Sequence, residues 1–261
     1  MKKNYFIAWL AFLLLIAFSC KENSTGPTYK ILLPMNSGNY WIYDTYTLDS
    51  MNRRTNDPPG KDSVIISGKI EKQGKEGYIF ETHSLDSLGN YRKVSEVYYR
   101  IEEGKLYAYS NIITDMLKRF PFELPIQIQE QWLMLIDPED DFWRIFEQDI
   151  PETQIPIFQG MTLKGKIEVY GSKENTKDIN VYGKNYNCQG YLIRQSFKGT
   201  IKFSTYSFPL EFERKMYNWF AFDYGLLNSI NNSFEIQIPI INNSIKIEGS
   251  ENFINHFNIN K

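Results

Sequence analysis

Ser63-Val64-Ile65-Ile66-Ser67-Gly68-Lys69-Ile70-Glu71 is followed by Gln73-Gly74-Lys75-Glu76-Gly77 and then by Tyr78-Ile79-Phe80-Glu81-Thr82. Two β-branched and aromatic runs flank a short polar link that contains glycine, the pattern of a β-hairpin. The arrangement recurs at once: Tyr91 to Ile101 and Lys105 to Ser110 are joined at Glu102-Glu103-Gly104. Further strands are read at Leu163 to Tyr170, Ile179 to Tyr182, Gly190 to Gln195, Gly199 to Ser204 and Glu211 to Phe222. Phe234, Ile236 and Ile238 alternate with polar residues, Asn242-Asn243 supplies a turn, and Ile245 and Ile247 alternate back. The fold class is therefore mainly β, with antiparallel pairing.

Outward from this centre, the domain begins at Ile31. Pro34 and Gly38 precede an aromatic strand in which Trp41, Tyr43 and Thr45 share one face, and Trp41 is expected in the core. The middle of the chain has a different period. Ile112, Ile113, Met116, Leu117 and Phe120 fall at helical spacing until Pro121. A second helix is expected from Asp137 as N-cap, with Pro138 in the first turn and Phe142, Ile145 and Phe146 on one face. One or two short helices between Asn111 and Glu147 would then lie on one side of the sheet. Leu33-Pro34 precedes Trp41 as Leu124-Pro125 precedes Trp132, so two related halves split near Pro121 are expected. The tail from 251 to 261 is expected to fray.

The N-terminus carries an address. Lys2 and Lys3 precede an uncharged apolar run from Tyr5 to Phe18, and small Ser19 stands before Cys20. That is the anatomy of a secretory signal, and the run is shorter than the ~20 residues that a spanning helix needs. The segment resembles a bacterial lipoprotein signal peptide. The resemblance implies that residues 1–19 are removed and that Cys20 is lipidated, each buried methylene adding about 0.8 kcal/mol of membrane affinity. Residues 20–30 read as a flexible tether to a single β-rich domain over 31–250. The location implied is the cell envelope, as an outer-membrane lipoprotein facing the periplasm or the surface.

Composition removes several partners. The chain has 29 basic and 31 acidic residues, and without Lys2 and Lys3 the balance is 27 − 31 = −4, with no basic cluster, so nucleic acid is not an expected partner. Two cysteines and two histidines argue against a cysteine-based zinc centre or a histidine-rich metal site, and no cofactor is expected. If Cys20 is acylated, Cys188 has no disulfide partner. It also lacks a neighbouring His or Lys in sequence to activate its thiol.

Trp219-Phe220-Ala221-Phe222-Asp223-Tyr224-Gly225-Leu226-Leu227 is similar to the ending of a broad group of uncharacterised bacterial envelope lipoproteins. That group also starts with a Gly-x-x-Trp-x-Tyr strand, as Gly38, Trp41 and Tyr43 do, and has a strand turn like Val181 to Cys188. The group resembles outer-membrane lipoprotein carriers in architecture. This implies a large curved antiparallel sheet or open β-barrel, with one or two short helices packed on one face.

Chemistry is sparse. Glu81 and His83 share a strand face but have no nucleophile placed beside them. Asp137, Glu139, Asp140 and Asp141 lack the alternation and turn glycine of a calcium loop and read as helix capping. Tyr40, Tyr43, Tyr46, Tyr98, Tyr99, Tyr107 and Tyr109 could stack on sugars or line an apolar groove, and strand packing explains most of them. The expectation is a non-enzymatic binding or interaction module for an apolar ligand such as an acyl chain, or for an envelope protein. Its site would be capped by Ile112, Met116, Leu117, Phe142 and Phe146, with Trp132 and Trp143 near the mouth. The alternative is a cell-surface hydrolase or glycan-acting protein, which would show two carboxylates across a cleft ~5 to 9 Å wide.

Overall fold

A computed structural model describes residues 30–109, 128–155, 160–238 and 243–260. The chain first runs as a meander of six strands: β1 (Tyr40–Leu48), β2 (Gly60–Lys72), β3 (Lys75–Leu85), β4 (Tyr91–Glu102), β5 (Lys105–Tyr109) and β6 (Trp132–Ile136). A second run follows, with β7 (Phe142–Gln154), β8 (Met161–Val181), β9 (Lys184–Phe203), β10 (Tyr206–Ala221) and β11 (Gly225–Asn231). Then come β12 (Phe234–Ile238), β13 (Asn243–Ile247) and β14 (Gly249–Asn258). Twelve strands form one antiparallel sheet in the order β6-β5-β4-β3-β2-β1-β14-β11-β10-β9-β8-β7, and β12 pairs with β13 in a small second sheet.

Connectivity forces the large sheet to curl. Strands β6 and β7 are its two edges, yet only residues 137–141 separate them. So short a link spans at most ~20 Å, and the edges come together into a nearly closed barrel. The Trp143 indole on β7 donates to the carbonyl of Leu135 on β6 at 3.2 Å across this seam.

Three hairpins are set by residue pairs with positive φ in two-residue links: Gln73-Gly74, Glu103-Gly104 and Tyr182-Gly183. Positive φ at both central residues is the type I′ geometry that matches strand twist. Strand alternation then divides the side chains. Trp41, Phe80, Leu106, Ile193 and Phe220 are buried, and the inner face carries the core. The β8–β9 hairpin runs past its neighbours, with a register shift between Glu174 and Lys177. Its tip lies over the outer face of β10, β11 and β14, where Lys177 reaches Asn228 at 2.7 Å and Tyr182 reaches Asn255 at 3.2 Å. Ile179, Val181 and Cys188 are buried in that layer.

Two expectations are corrected. The helix from Asp137 is absent: 137–141 is the link across the seam, and Phe142, Ile145 and Phe146 belong to β7. Arg144 pairs with Tyr170 and Phe146 with Val169, so Ile145 is an extra residue in the ladder. This bulge turns Ile145 and Phe146 inward together and so imitates helical spacing. The tail does not fray either, because β14 is held between β1 and β11. The first expected helix, with Ile112, Met116 and Leu117, lies outside the described residues, as do residues 1–29 and Cys20.

Candidate functional site: a two-sided interior chamber

The concave face of the curled sheet lines a partly open chamber of about 290 Å³. One wall comes from β2 to β6 through Val64, Phe80, Val97, Tyr99, Leu106 and Leu135, and the hydroxyls of Thr82 and Tyr99 are its polar groups among the described residues. Trp41 and Leu33 continue the apolar lining toward β1. The opposite wall differs. There Gln195 on β9, Arg214 and Asn218 on β10 and Asn252 on β14 stand among Ile193, Met216 and Phe220.

Register explains this grouping. Arg214 pairs with Gln195 across β10 and β9, forming one polar row. Asn218 pairs with Ser229, and Ser229 with Asn252, forming a second row across β10, β11 and β14. Ser229 Oγ donates to Asn218 Oδ1 at 2.9 Å. Gln195 is 1% exposed and Arg214 7%. The buried oxygens Gln195 Oε1 and Asn252 Oδ1 have no hydrogen-bond partner among the described residues. Leaving such a group unpaired costs about 1–3 kcal/mol. Beyond Arg214 the inward positions of β10 are Phe212 and Leu210, with Phe212 stacked on Phe197 at 5.4 Å and on Phe234 at 6.0 Å.

Among the described residues lining the chamber there is no carboxylate, histidine, lysine or cysteine, and Arg214 is the single charged group. Burial pushes the Tyr43 hydroxyl far above its ordinary pKa and that of Tyr99 up to about 12, so both stay protonated. The lining can therefore hold an apolar body and hydrogen-bond or pair with a polar end. A second concavity of about 300 Å³ is lined by Lys30, Lys173, Glu103 and Glu139 with Tyr191 and Phe222, which makes it a mixed-charge groove.

Of the residues expected from sequence, the four that are described are dispersed. Trp132 lies on the outer face, its indole donating to the Lys72 carbonyl at 3.0 Å and its ring edge-on to Tyr109. Phe142 is 63% exposed and stacked on Tyr170 at 5.3 Å. Trp143 is 4% exposed, lies against Gly171 and meets Tyr191 edge-on at 6.3 Å. Phe146 is core, in the same cross-strand row as Val169, Gln195 and Arg214. None of these four lines the chamber. Its polar residues were missed, although a signal exists. Arg214 and Asn218 fall in phase with Phe212, Met216 and Phe220, and a charge on an inward strand phase marks a special position.

The other candidates resolve as surface or packing features. His83 Nε2 is 3.2 Å from Glu81 Oε2, and the hydrogen bond from Lys93 to Glu81 holds that carboxyl below its ordinary pKa. Asp137 pairs with Lys105 at 2.6 Å and accepts from the Glu139 amide at 3.1 Å, which leaves it capping a turn. Tyr98, Tyr109 and Trp132 form an outer aromatic cluster with Lys72 over both tyrosines, whereas Tyr43 and Tyr99 line the chamber. Burial raises the Cys188 thiol to about 11. Among the described residues no group of three or more His, Cys, Asp or Glu side chains could hold a metal ion.

No protein-family model matches the chain, and no curated protein matches it. Two crystal structures are similar. A protein of Parabacteroides distasonis ATCC 8503, named provisionally as a lipoprotein, is 10% identical, with 88% of this chain and 99% of that chain covered and a TM-score of 0.45. A protein of Bacteroides fragilis NCTC 9343, named provisionally as exported and described with a YmcC-like fold, is 11% identical over 88% of this chain and 99% of that one, at a TM-score of 0.37.

Proposed function

We propose that this chain is a lipid-anchored protein of the cell envelope that holds a small molecule with an apolar body in its barrel interior and catalyses no reaction on it. The supporting observation is the chamber itself. Its apolar walls suit a hydrocarbon body, and the described lining lacks the acid and base pairs or activated nucleophile that hydrolysis needs. A methylene is close to a water molecule in size, and water takes about 30 Å³, so the volume suits a chain of about ten heavy atoms. The address comes from the leader and Cys20. Two experiments test the two parts. Calorimetric titration of the mature chain carrying Cys20→Ser with ten-carbon amphiphiles should show saturable binding, and its absence removes the ligand-binding reading. Cys20→Ser in cells should release the protein from membranes, and retention at the mature size removes the anchor.

A further inference from the structure

We propose that the chamber selects an amphiphile with one hydrocarbon chain and one anionic head, seated with the head on Arg214 and Gln195 and the chain along the wall of β2 to β6. This deepens the binding reading above and rests on it.

Three observations point the same way. First, the chamber is polarised. Its amide and charged side chains all stand on the β9, β10 and β14 side, while strands β2 to β6 present aliphatic and aromatic groups with only the hydroxyls of Thr82 and Tyr99 among the described residues. A wholly apolar ligand would meet a row of buried amides it could not hydrogen-bond, and such groups penalise binding. Second, Arg214 carries the only formal charge among the described lining residues and is 7% exposed. A guanidinium matches a carboxylate or phosphate in its planar fork, and its field is little screened away from water. Third, Gln195 is the cross-strand partner of Arg214, is 1% exposed, lines the same space, and has an Oε1 that finds no partner among the described residues. Its amide can rotate to offer Nε2 to an anion, which would give the head a second contact beside the guanidinium. The Phe197, Phe212 and Phe234 stack adjoins Arg214 along β10 and shields that end from water.

The mature chain with Cys20→Ser should be titrated calorimetrically with decanoate and with decanol, which differ only at the head. Decanoate is expected to bind at least tenfold more tightly. The preference should vanish in Arg214→Met and persist in part in Arg214→Lys. For the unaltered protein, equal affinity for acid and alcohol, or binding of the alcohol alone, overturns the anionic-head proposal and leaves the apolar-ligand reading intact. Binding of neither overturns both. The comparison within the unaltered protein stands even if Arg214→Met fails to fold, and circular dichroism reports whether it does.

Discussion

The indole N–H of Trp41 donates to the backbone carbonyl of Tyr224 at 2.7 Å, although 183 residues separate them. The Tyr43 hydroxyl does the same to Leu226 at 2.8 Å. The opening aromatic strand thus grips the tight turn between β10 and β11, and Tyr186 joins from the β8–β9 hairpin with its ring 4.8 Å from that of Tyr224. The turn needs Gly225 at φ 90°, and a Cβ there would sit 2.9 Å from Leu33 and 3.2 Å from the Trp41 ring. Three short motifs, far apart in sequence, are one contact in space.

Gly225→Ala is accordingly expected to destabilise the protein by about 3 kcal/mol, combining left-handed backbone strain with crowding against Trp41. Trp41→Phe should cost about 2–4 kcal/mol, from a shrunken core side chain and an orphaned carbonyl. Urea unfolding measures both. A loss under about 1 kcal/mol in each would mean that the grip on the turn contributes little.

On β7, neighbours should behave in opposite ways. Trp143→Ala removes a buried ring packed on Gly171 and is expected to cost about 3–5 kcal/mol. Phe142→Ala lies on the exposed side and should cost under about 1 kcal/mol despite its stacking on Tyr170. A helix would instead bury Phe142 with Ile145 and Phe146, so similar losses at 142 and 143 would contradict the bulged strand.

Acid sensitivity should trace in part to Glu251. Burial pushes its carboxyl upward, but hydrogen bonds from Arg54 at 2.7 Å and Asn228 at 2.9 Å outweigh this and hold the pKa below its ordinary 4.5. A depressed folded pKa means that the folded state binds fewer protons, so the stabilisation is fully present above about pH 4.5 and is lost as pH falls through the folded value. Arg54 is partly exposed, so the contribution is about 1 kcal/mol after screening. Glu251→Gln should flatten the stability profile below pH 4.5 in urea melts taken across pH. An unchanged acid limb would exclude Glu251 as its source.

Cys188 should be silent in the folded protein. It is fully buried in the outer layer, and its thiol is raised to about 11. In the Cys20→Ser form a thiol-reactive disulfide reagent at pH 8 should label it only when urea unfolds the chain. Rapid labelling in native buffer would show that the β8–β9 tip opens readily.

Much of the β architecture was legible because alternation with period two is local. The hairpins at Gln73-Gly74 and Glu103-Gly104 are readable from a few adjacent residues, since both turn positions require positive φ. The site was less legible. Phe142, Ile145 and Phe146 presented a helical period because a single bulged residue, Ile145, shifted the alternation, and bulges leave no distinct composition.

Local alternation was enough to set the early hairpin strands, their tight turns and the inward phase that carries Trp41, Phe80 and Phe220, because burial on one face of a strand imposes its pattern residue by residue, whereas β7 and β14 could not be read this way. Which strands distant in sequence lie side by side came only with the closed sheet. It set the last strand between the first and the eleventh, and it brought edges β6 and β7 together. It also placed Gln195 beside Arg214, and Asn218 and Asn252 on either side of Ser229, facing an apolar wall built from the other half of the chain. Register between strands distant in sequence depends on the closure of the whole sheet, and no local run of residues encodes it.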